Sequence, residues 1–226
     1  VPGVGEAPFT PSGDPASPER LDFTVIRTGR VTDRLHAIRA GDRLGVRGPF
    51  GQGYPIEEME GRHVLIVGGG CGLAPLRSLI LSLLRQMDRI AGMSIRYGAR
   101  ESREILYRAQ LDEWNSRKKV DVAYTIDVPE PGWDGRVGVV TTLLDQLPAP
   151  PDRIIAVSCG PEIMLKFVTQ TLLERGLSPD RIILSMNRRM SCGIGKCGRC
   201  NIGPYYLCRD GPDIHYAKIK DCANVF

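Results

Sequence analysis

From residue 62 onward the apolar positions alternate between short continuous runs and longer spaced runs. Residues 63–67 (His-Val-Leu-Ile-Val) are almost wholly apolar, as in a strand buried on both faces, and a glycine loop at 68–72 follows them. Pro75 then stands where the first turn of a helix tolerates proline. Leu76, Leu79, Ile80, Leu83, Leu84 and Met87 recur at helical spacing behind it. The unit repeats with a strand at 93–97 and a helix at 102–114, and further strands are predicted at 120–126, 153–157 and 181–185. Between the last two, Pro161 opens and Gly176 closes a helix that lines up Met164, Leu165, Val168 and Leu172. Five strands with intervening helices predict a doubly wound parallel sheet spanning residues 55–187.

The flanks follow other rules. Residues 21–26 and 42–46 are β-like runs separated by Gly29 and a polar patch, and 48–53 is rich in turn residues. Residues 1–54 therefore read as the tail of a small β domain. The opening stretch, Val1-Pro2-Gly3 onward, starts without Met and without an element to end, so an earlier segment is expected before it. After Asn187, residues 188–226 show little hydrophobic periodicity. A unit that small ordinarily needs a staple, and a metal cluster would provide one.

Length and composition narrow the classes. The 226 residues exceed usual single-domain size, and 42% hydrophobic with 25% charged residues is ordinary globular usage. A net charge of +4, scattered along the chain, does not suggest a nucleic-acid surface. No apolar run approaches the roughly 20 residues of a membrane span, and residues 1–18 lack the pattern of a signal peptide. A soluble, cytoplasmic protein is expected. Of seven cysteines, four crowd between Cys192 and Cys208, which fits a metal site in a reducing compartment better than a disulfide framework.

Cys192, Cys197 and Cys200 have the C-x4-C-x2-C spacing with which plant-type ferredoxins wrap a 2Fe-2S cluster, and Cys208 supplies a fourth thiolate. Gly193, Gly195 and Gly198 let the loop turn back and aim backbone N–H groups at cluster sulfurs. A four-cysteine zinc site is the alternative, although such sites commonly pair two tight C-x2-C hairpins and only one is present here. Gly68-Gly69-Gly70-Cys71-Gly72-Leu73-Ala74-Pro75 sits between strand and helix, where backbone N–H groups meet a pyrophosphate. It departs from G-x-G-x-x-G, and a tight turn without ligand is the alternative. Cys159-Gly160-Pro161 falls at the carboxyl end of a later strand, the edge where ligands of open α/β sheets collect. Cys159 is either a wall of the nicotinamide pocket or a buried structural thiol; Cys71 outside its loop backbone and Cys222 read as the latter.

Together these residues resemble the ferredoxin-NADP reductase superfamily, which carries a G-G-G-x-G-x-A-P loop and a C-G-P turn. Gly48-Pro49-Phe50-Gly51 resembles the turn between its flavin barrel and nucleotide domain, and Tyr97-Gly98-Ala99-Arg100 the end of its second nucleotide-domain strand. The tail from Met190 through Cys208 to Gly211-Pro212, with Gly203-Pro204-Tyr205-Tyr206, resembles a narrower group. That group is the gamma subunits of cytoplasmic nickel-iron hydrogenases and sulfhydrogenases, with the electron-transfer subunits of dihydroorotate dehydrogenase and of anaerobic sulfite reductase as relatives.

The resemblance implies FAD on an antiparallel barrel, of which this chain supplies the latter part. It implies NAD(P)H on the α/β domain and a 2Fe-2S cluster on Cys192, Cys197, Cys200 and Cys208. The nucleotide would lie along Gly68, Gly69, Gly70, Cys71, Gly72, Ala74, Pro75, Arg100, Cys159, Gly160 and Pro161. The flavin would lie against Thr10, Val31, Thr32, Gly48, Pro49 and Gly51. Ala7 and Phe9 replace the arginine and tyrosine of the family's Arg-x-Tyr-Ser flavin motif, so flavin binding rests on Gly29-Arg30-Val31-Thr32, whose alternative is an ordinary capped turn.

A hydride donor and a one-electron acceptor on one chain require a converter, and flavin is that converter. No side-chain acid or base is expected to be essential, so the implied activity is NAD(P)H-dependent, diaphorase-type electron transfer. No constellation here performs a terminal reaction, which implies a hetero-oligomer with a catalytic subunit as partner. A non-catalytic, cluster-bearing assembly subunit and a zinc-stabilised NAD-binding regulator remain as other readings. NAD and NADP are both open: no acidic residue ends the second strand, while Arg100 and Arg103 follow it.

Overall fold

A computed structural model describes residues 3–226; Val1 and Pro2, at the head of the stretch assigned to a β domain, lie outside the described residues. The apolar run at 63–67 extends into its glycines to give β1 (His63–Gly69). It pairs in parallel with β2 (Gly92–Ala99) on one side and β5 (Ile154–Cys159) on the other. Outside these lie β3 (Val120–Ile126) against β2 and β6 (Ile182–Ser185) against β5, again parallel. These are the five predicted strands. Two short additions enlarge the sheet to seven, β4 (Arg136–Val137) beside β3 and the antiparallel β9 (Asp213–His215) beside β6, in the order β4-β3-β2-β1-β5-β6-β9.

Helices cover both faces because each has one apolar stripe to bury. On one face α2 (Leu73–Leu84) buries Leu76, Leu79, Ile80 and Leu83, and α3 (Arg108–Asn115) buries Leu111 and Trp114. On the other, α4 (Glu162–Glu174) buries Leu165, Val168 and Leu172. The helix predicted at 102–114 is broken. A 3-10 turn at Ser102–Glu104 precedes α3, and Tyr107 between them is left-handed at φ 54°. The Tyr97 hydroxyl sits in this break: it accepts from Leu106 N–H at 3.3 Å, an N–H that a continuous helix would have turned to its own backbone.

Residues 3–54 differ from expectation. The β-like runs at 21–26 and 42–46 form no strand among the described residues; the region holds one regular helix, α1 (Arg30–His36). A strand needs a ladder of N–H and C=O partners, and the run at 21–26 has only isolated ones, such as Asp22 O accepting from Ser12 N–H at 2.8 Å and Val25 O bonded to the His36 ring at 2.9 Å. The segment is tied down by side chains instead. Arg77 donates to Ser12 O at 2.6 Å, Thr24 bonds the Tyr107 hydroxyl, and Arg85 pairs with Asp14. The barrel implied by the resemblance is not formed by these residues alone.

The tail also corrects a prediction, since it is not coreless. After a hairpin of β7 (Asn201–Ile202) and β8 (Tyr205–Tyr206) come α5 (Leu207–Asp210), β9 and α6 (Tyr216–Ile219). Ile202, Leu207, Ile214 and Ile219 are fully buried and join the core beneath α4. Each such side chain contributes roughly 1.5–3 kcal/mol, so the tail is held by packing and a sheet strand as well as by any staple. No helix among the described residues is long and apolar enough to cross a membrane.

Candidate functional site

The glycine loop is a 3-10 turn at Gly70–Gly72 that leads directly into α2. Its glycines have different jobs. A Cβ on Gly72 would overlap the carbonyl oxygen of Cys159, and one on Gly69 would meet the Met164 sulfur, so these two let the β1 and β5 turns touch. Gly70 has φ +52°, and a Cβ placed on it would have nothing within 4 Å, which leaves its backbone facing open space. Tyr97, buried beneath, donates from its hydroxyl to Gly70 O at 3.0 Å and braces the loop. An open, glycine-lined turn before a helix of this length suits a pyrophosphate. The second turn, Cys159-Gly160-Pro161, abuts it, so Gly68 to Gly72, Ala74, Pro75 and Cys159 to Pro161 are brought together. Arg100 is exposed at the end of β2, away from that contact.

Across the carboxyl edge of the sheet, Tyr97, Gly68, Cys159, Ser185 and Asp213 stand in register on adjacent strands. Burial pushes the Cys159 thiol up to about 12, which makes it inert as a nucleophile. Burial likewise pushes the Asp213 carboxyl up to about 7, against the pull of a Ser185 hydrogen bond. Asp213 Oδ1 and the Tyr54 hydroxyl are both buried without a hydrogen-bond partner. Orphaned polar atoms at a sheet edge of this kind are what a polar ring system would satisfy. Sequence reasoning missed Tyr54, Ser185 and Asp213, because the strand that presents Asp213 has only three residues and no periodicity.

The four cysteines converge in two pairs. Cys192 lies beside Cys197, and Cys200 beside Cys208. Cys192 Sγ accepts from the backbone N–H groups of Ile194 (3.4 Å), Lys196 (3.3 Å) and Cys197 (3.4 Å), and Cys208 Sγ from Gly195 at 3.2 Å. These donors hold the Cys192 thiol down at about 6, on the thiolate side of neutrality. Gly193, Gly195 and Gly198 have φ of 78°, 70° and 73°, the left-handed turns that bring those N–H groups inward. Among the described residues no group of three or more His, Cys, Asp or Glu side chains closes on one ion. Two thiol pairs with N–H donors to sulfur are the donor set that a two-iron cluster takes.

The turn before β1 reaches this loop. Arg47 donates to Cys192 O at 2.8 Å and Ser191 O at 2.6 Å, and its guanidinium lies over the Phe50 ring at 5.1 Å. A Cβ on Gly51 would overlap Gly211 O, and one on Gly193 would sit 2.7 Å from the Phe50 ring. Arg47, Phe50 and Gly51 thus form the seam between this turn and the tail, and Gly48 and Pro49 lie between them in sequence. The other flavin candidates are more open. Thr32 Oγ1 accepts from Thr28 N–H and Gly29 N–H, each at 2.9 Å, so its hydroxyl caps its own turn. Val31 lies along the stretch that leads to Thr10, since a Cβ on Gly5 would be 3.7 Å from Val31 Cγ2. Glu130 accepts from Ser102 N–H at 2.9 Å and Ser102 Oγ at 2.6 Å, which places a carboxylate past the end of β2 that sequence reasoning did not foresee.

Comparison with known proteins agrees with this layout. The oxidoreductase NAD-binding domain family matches residues 66–170, and the iron-sulfur cluster binding domain of dihydroorotate dehydrogenase B matches residues 187–220. The chain is 35% identical to sulfhydrogenase 2 subunit gamma of Pyrococcus furiosus, over 95% of this chain and 79% of that one. It is 36% identical to a probable dihydroorotate dehydrogenase B electron transfer subunit of Thermococcus kodakarensis, over 94% and 79%. Among solved structures, an NADH-dependent reduced ferredoxin-NADP oxidoreductase superposes with a TM-score of 0.74 at 28% identity, covering 94% of this chain and 73% of that one. The two matched domains thus fall on the doubly wound sheet and on the cysteine loop, and the chain belongs to the family of electron-transfer subunits that includes the sulfhydrogenase gamma subunits and those of dihydroorotate dehydrogenase B.

Proposed function

We infer that the chain moves electrons between NAD(H), FAD and a 2Fe-2S cluster inside a cytoplasmic hetero-oligomer whose partner catalytic subunit is a nickel-iron hydrogenase. The first relatives being sulfhydrogenase gamma subunits supports that partner; a dihydroorotate dehydrogenase is the alternative, on the matching cluster domain. In this reading residues 1–54 contribute to flavin binding, 55–187 bind the nucleotide and 188–226 bind the cluster. The carrying observation is spatial. The chain leaves β6 and re-enters at β9 on the carboxyl edge of the sheet, so the cysteine loop between them opens on the edge that bears both glycine turns.

When bound, the three groups together supply conversion between a two-electron hydride and single electrons. The residues of this chain position them. The N–H groups around Gly70 meet the pyrophosphate of the nucleotide, and Cys159 walls the nicotinamide side. Thr10, Val31, Thr32 and the Gly48 to Gly51 turn flank the flavin. Cys192, Cys197, Cys200 and Cys208 would hold the cluster through their thiolates. Glu130 favours NAD over NADP, because a carboxylate there accepts from a ribose 2′-hydroxyl and repels a 2′-phosphate, while Arg103 is paired with Glu101 at 2.7 Å.

The test is cofactor content and dye reduction in the complete native protein. About two irons and two sulfides per chain, extractable FAD and NADH-driven dye reduction are expected. Zinc in place of iron sinks the cluster assignment, and a cluster without flavin or dye reduction leaves a non-catalytic assembly subunit.

A further inference from the structure

We propose that Arg47 sets how readily the cysteine site accepts an electron: its guanidinium, anchored on the ligand loop, raises the reduction potential there, and Glu6 moderates the effect. This rests on the cluster reading above. The anchoring is multiple. The two terminal nitrogens of Arg47 reach Cys192 O at 2.8 Å and Ser191 O at 2.6 Å. Its Nε donates to Glu6 Oε2 at 2.9 Å, and the face of the guanidinium rests on Phe50, whose ring packs against Gly193. Arginine keeps its charge at every working pH, so the positive charge is permanent as well as placed.

Uptake of one electron makes the cluster and its four thiolates one unit more negative, and a nearby positive charge stabilises that state. Net charge and hydrogen bonding around the sulfurs are the levers that spread iron-sulfur potentials over a wide range. Like Arg47, which also meets Glu6 Oε1 through Nη2 at 2.5 Å, the other cations near the loop have partners, but among the described residues those partners are not cysteine carbonyls. Arg209 is paired with Asp210 at 2.9 Å, and Arg199 donates only to Ser191 Oγ at 3.2 Å. Among the described residues Arg47 is the cationic side chain that bonds the carbonyl of a cysteine in the set. Its ion pair with Glu6 brings an opposing charge into the same place, so the two residues are expected to push the potential in opposite directions.

Spectroscopic redox titration of the complete protein, with iron and sulfide measured in every sample, tests this. Arg47→Met is expected to shift the one-electron equilibrium against reduction about tenfold, which is about 59 mV downward. Arg47→Lys, keeping the charge, should recover most of the loss. Glu6→Gln should move the potential upward, and Arg117→Met, an exposed ion-pair partner of Glu113 just past the end of α3, should leave it in place. A structural role for Arg47 would not produce shifts of opposite sign from Arg47→Met and Glu6→Gln. An unchanged potential in Arg47→Met with the cluster intact, or a downward shift in Glu6→Gln, overturns the proposal. If Arg47→Met empties the site, Glu6→Gln decides alone. A wild-type protein without iron and sulfide removes the cluster reading and this inference with it.

Discussion

Asp213 shows how one side chain makes the fold sensitive to pH. Its carboxyl titrates near 3.9 in an unfolded chain and is pushed up to about 7 by burial beside Tyr54, Cys159 and Ser185. Between those two values the folded chain keeps a proton that the unfolded chain has released. Stability therefore falls as pH rises from about 4 to about 7 and is level above, a loss on the order of 4 kcal/mol. Asp213→Asn, which is neutral at every pH, should abolish that slope. Urea midpoints of wild type and variant at pH 5 and pH 8 check it; equal slopes in the two proteins would show that Asp213 is not the cause. A bound ligand that donates a hydrogen bond to Oδ1 should lower the carboxyl again, since the orphaned atom would then favour its ionised form.

At the scale of elements, the β1–α2 turn separates two kinds of glycine. Gly70→Ala introduces a side chain into open space, at a strain of about 1–2 kcal/mol for its left-handed backbone, so the protein should fold while nucleotide affinity drops tenfold or more. Gly72→Ala collides with the Cys159 carbonyl and should instead lower the melting temperature sharply. Binding and melting measurements on both variants separate the roles; unchanged nucleotide affinity in folded Gly70→Ala would move the nucleotide elsewhere. This turn, the five parallel strands and the cysteine spacing were legible because each is encoded in contiguous residues: glycines after an apolar run, or thiols at a fixed interval. What stayed hidden depends on distance. Arg47 meets Cys192 across 145 positions, and β9 is three residues whose only cue is a partner strand. The runs at 21–26 and 42–46 have strand composition, but composition supplies no partner strand, and among the described residues they join no sheet.

At the scale of the whole molecule, the sheet edge that bears both glycine turns also bears the cysteine loop, whose tip exposes Ile194, 56% accessible, beside Lys196. An apolar tip flanked by a cation suits a partner with an acidic rim, and rim charges act mainly on encounter. Lys196→Glu should slow reduction of the physiological acceptor about tenfold at low salt, with the difference shrinking as salt rises, while NADH-driven dye reduction in the native complex stays the same. Loss of both activities together would place Lys196 in the internal route instead of at the exit.

The antiparallel strand β9 has a bearing on biosynthesis. Its partner β6 is completely buried in the finished protein, yet during translation it is made first and must wait for residues 186–212, which contain all four thiols. At about 5–20 residues per second that interval lasts on the order of seconds. For that time an apolar strand edge lies open on the ribosome-bound chain, in the form that invites pairing with another nascent chain. Iron delivery to the cysteine loop and closure of the sheet thus fall in one window, and a cell short of iron would be expected to accumulate this subunit in aggregates before it shows any loss of its messenger.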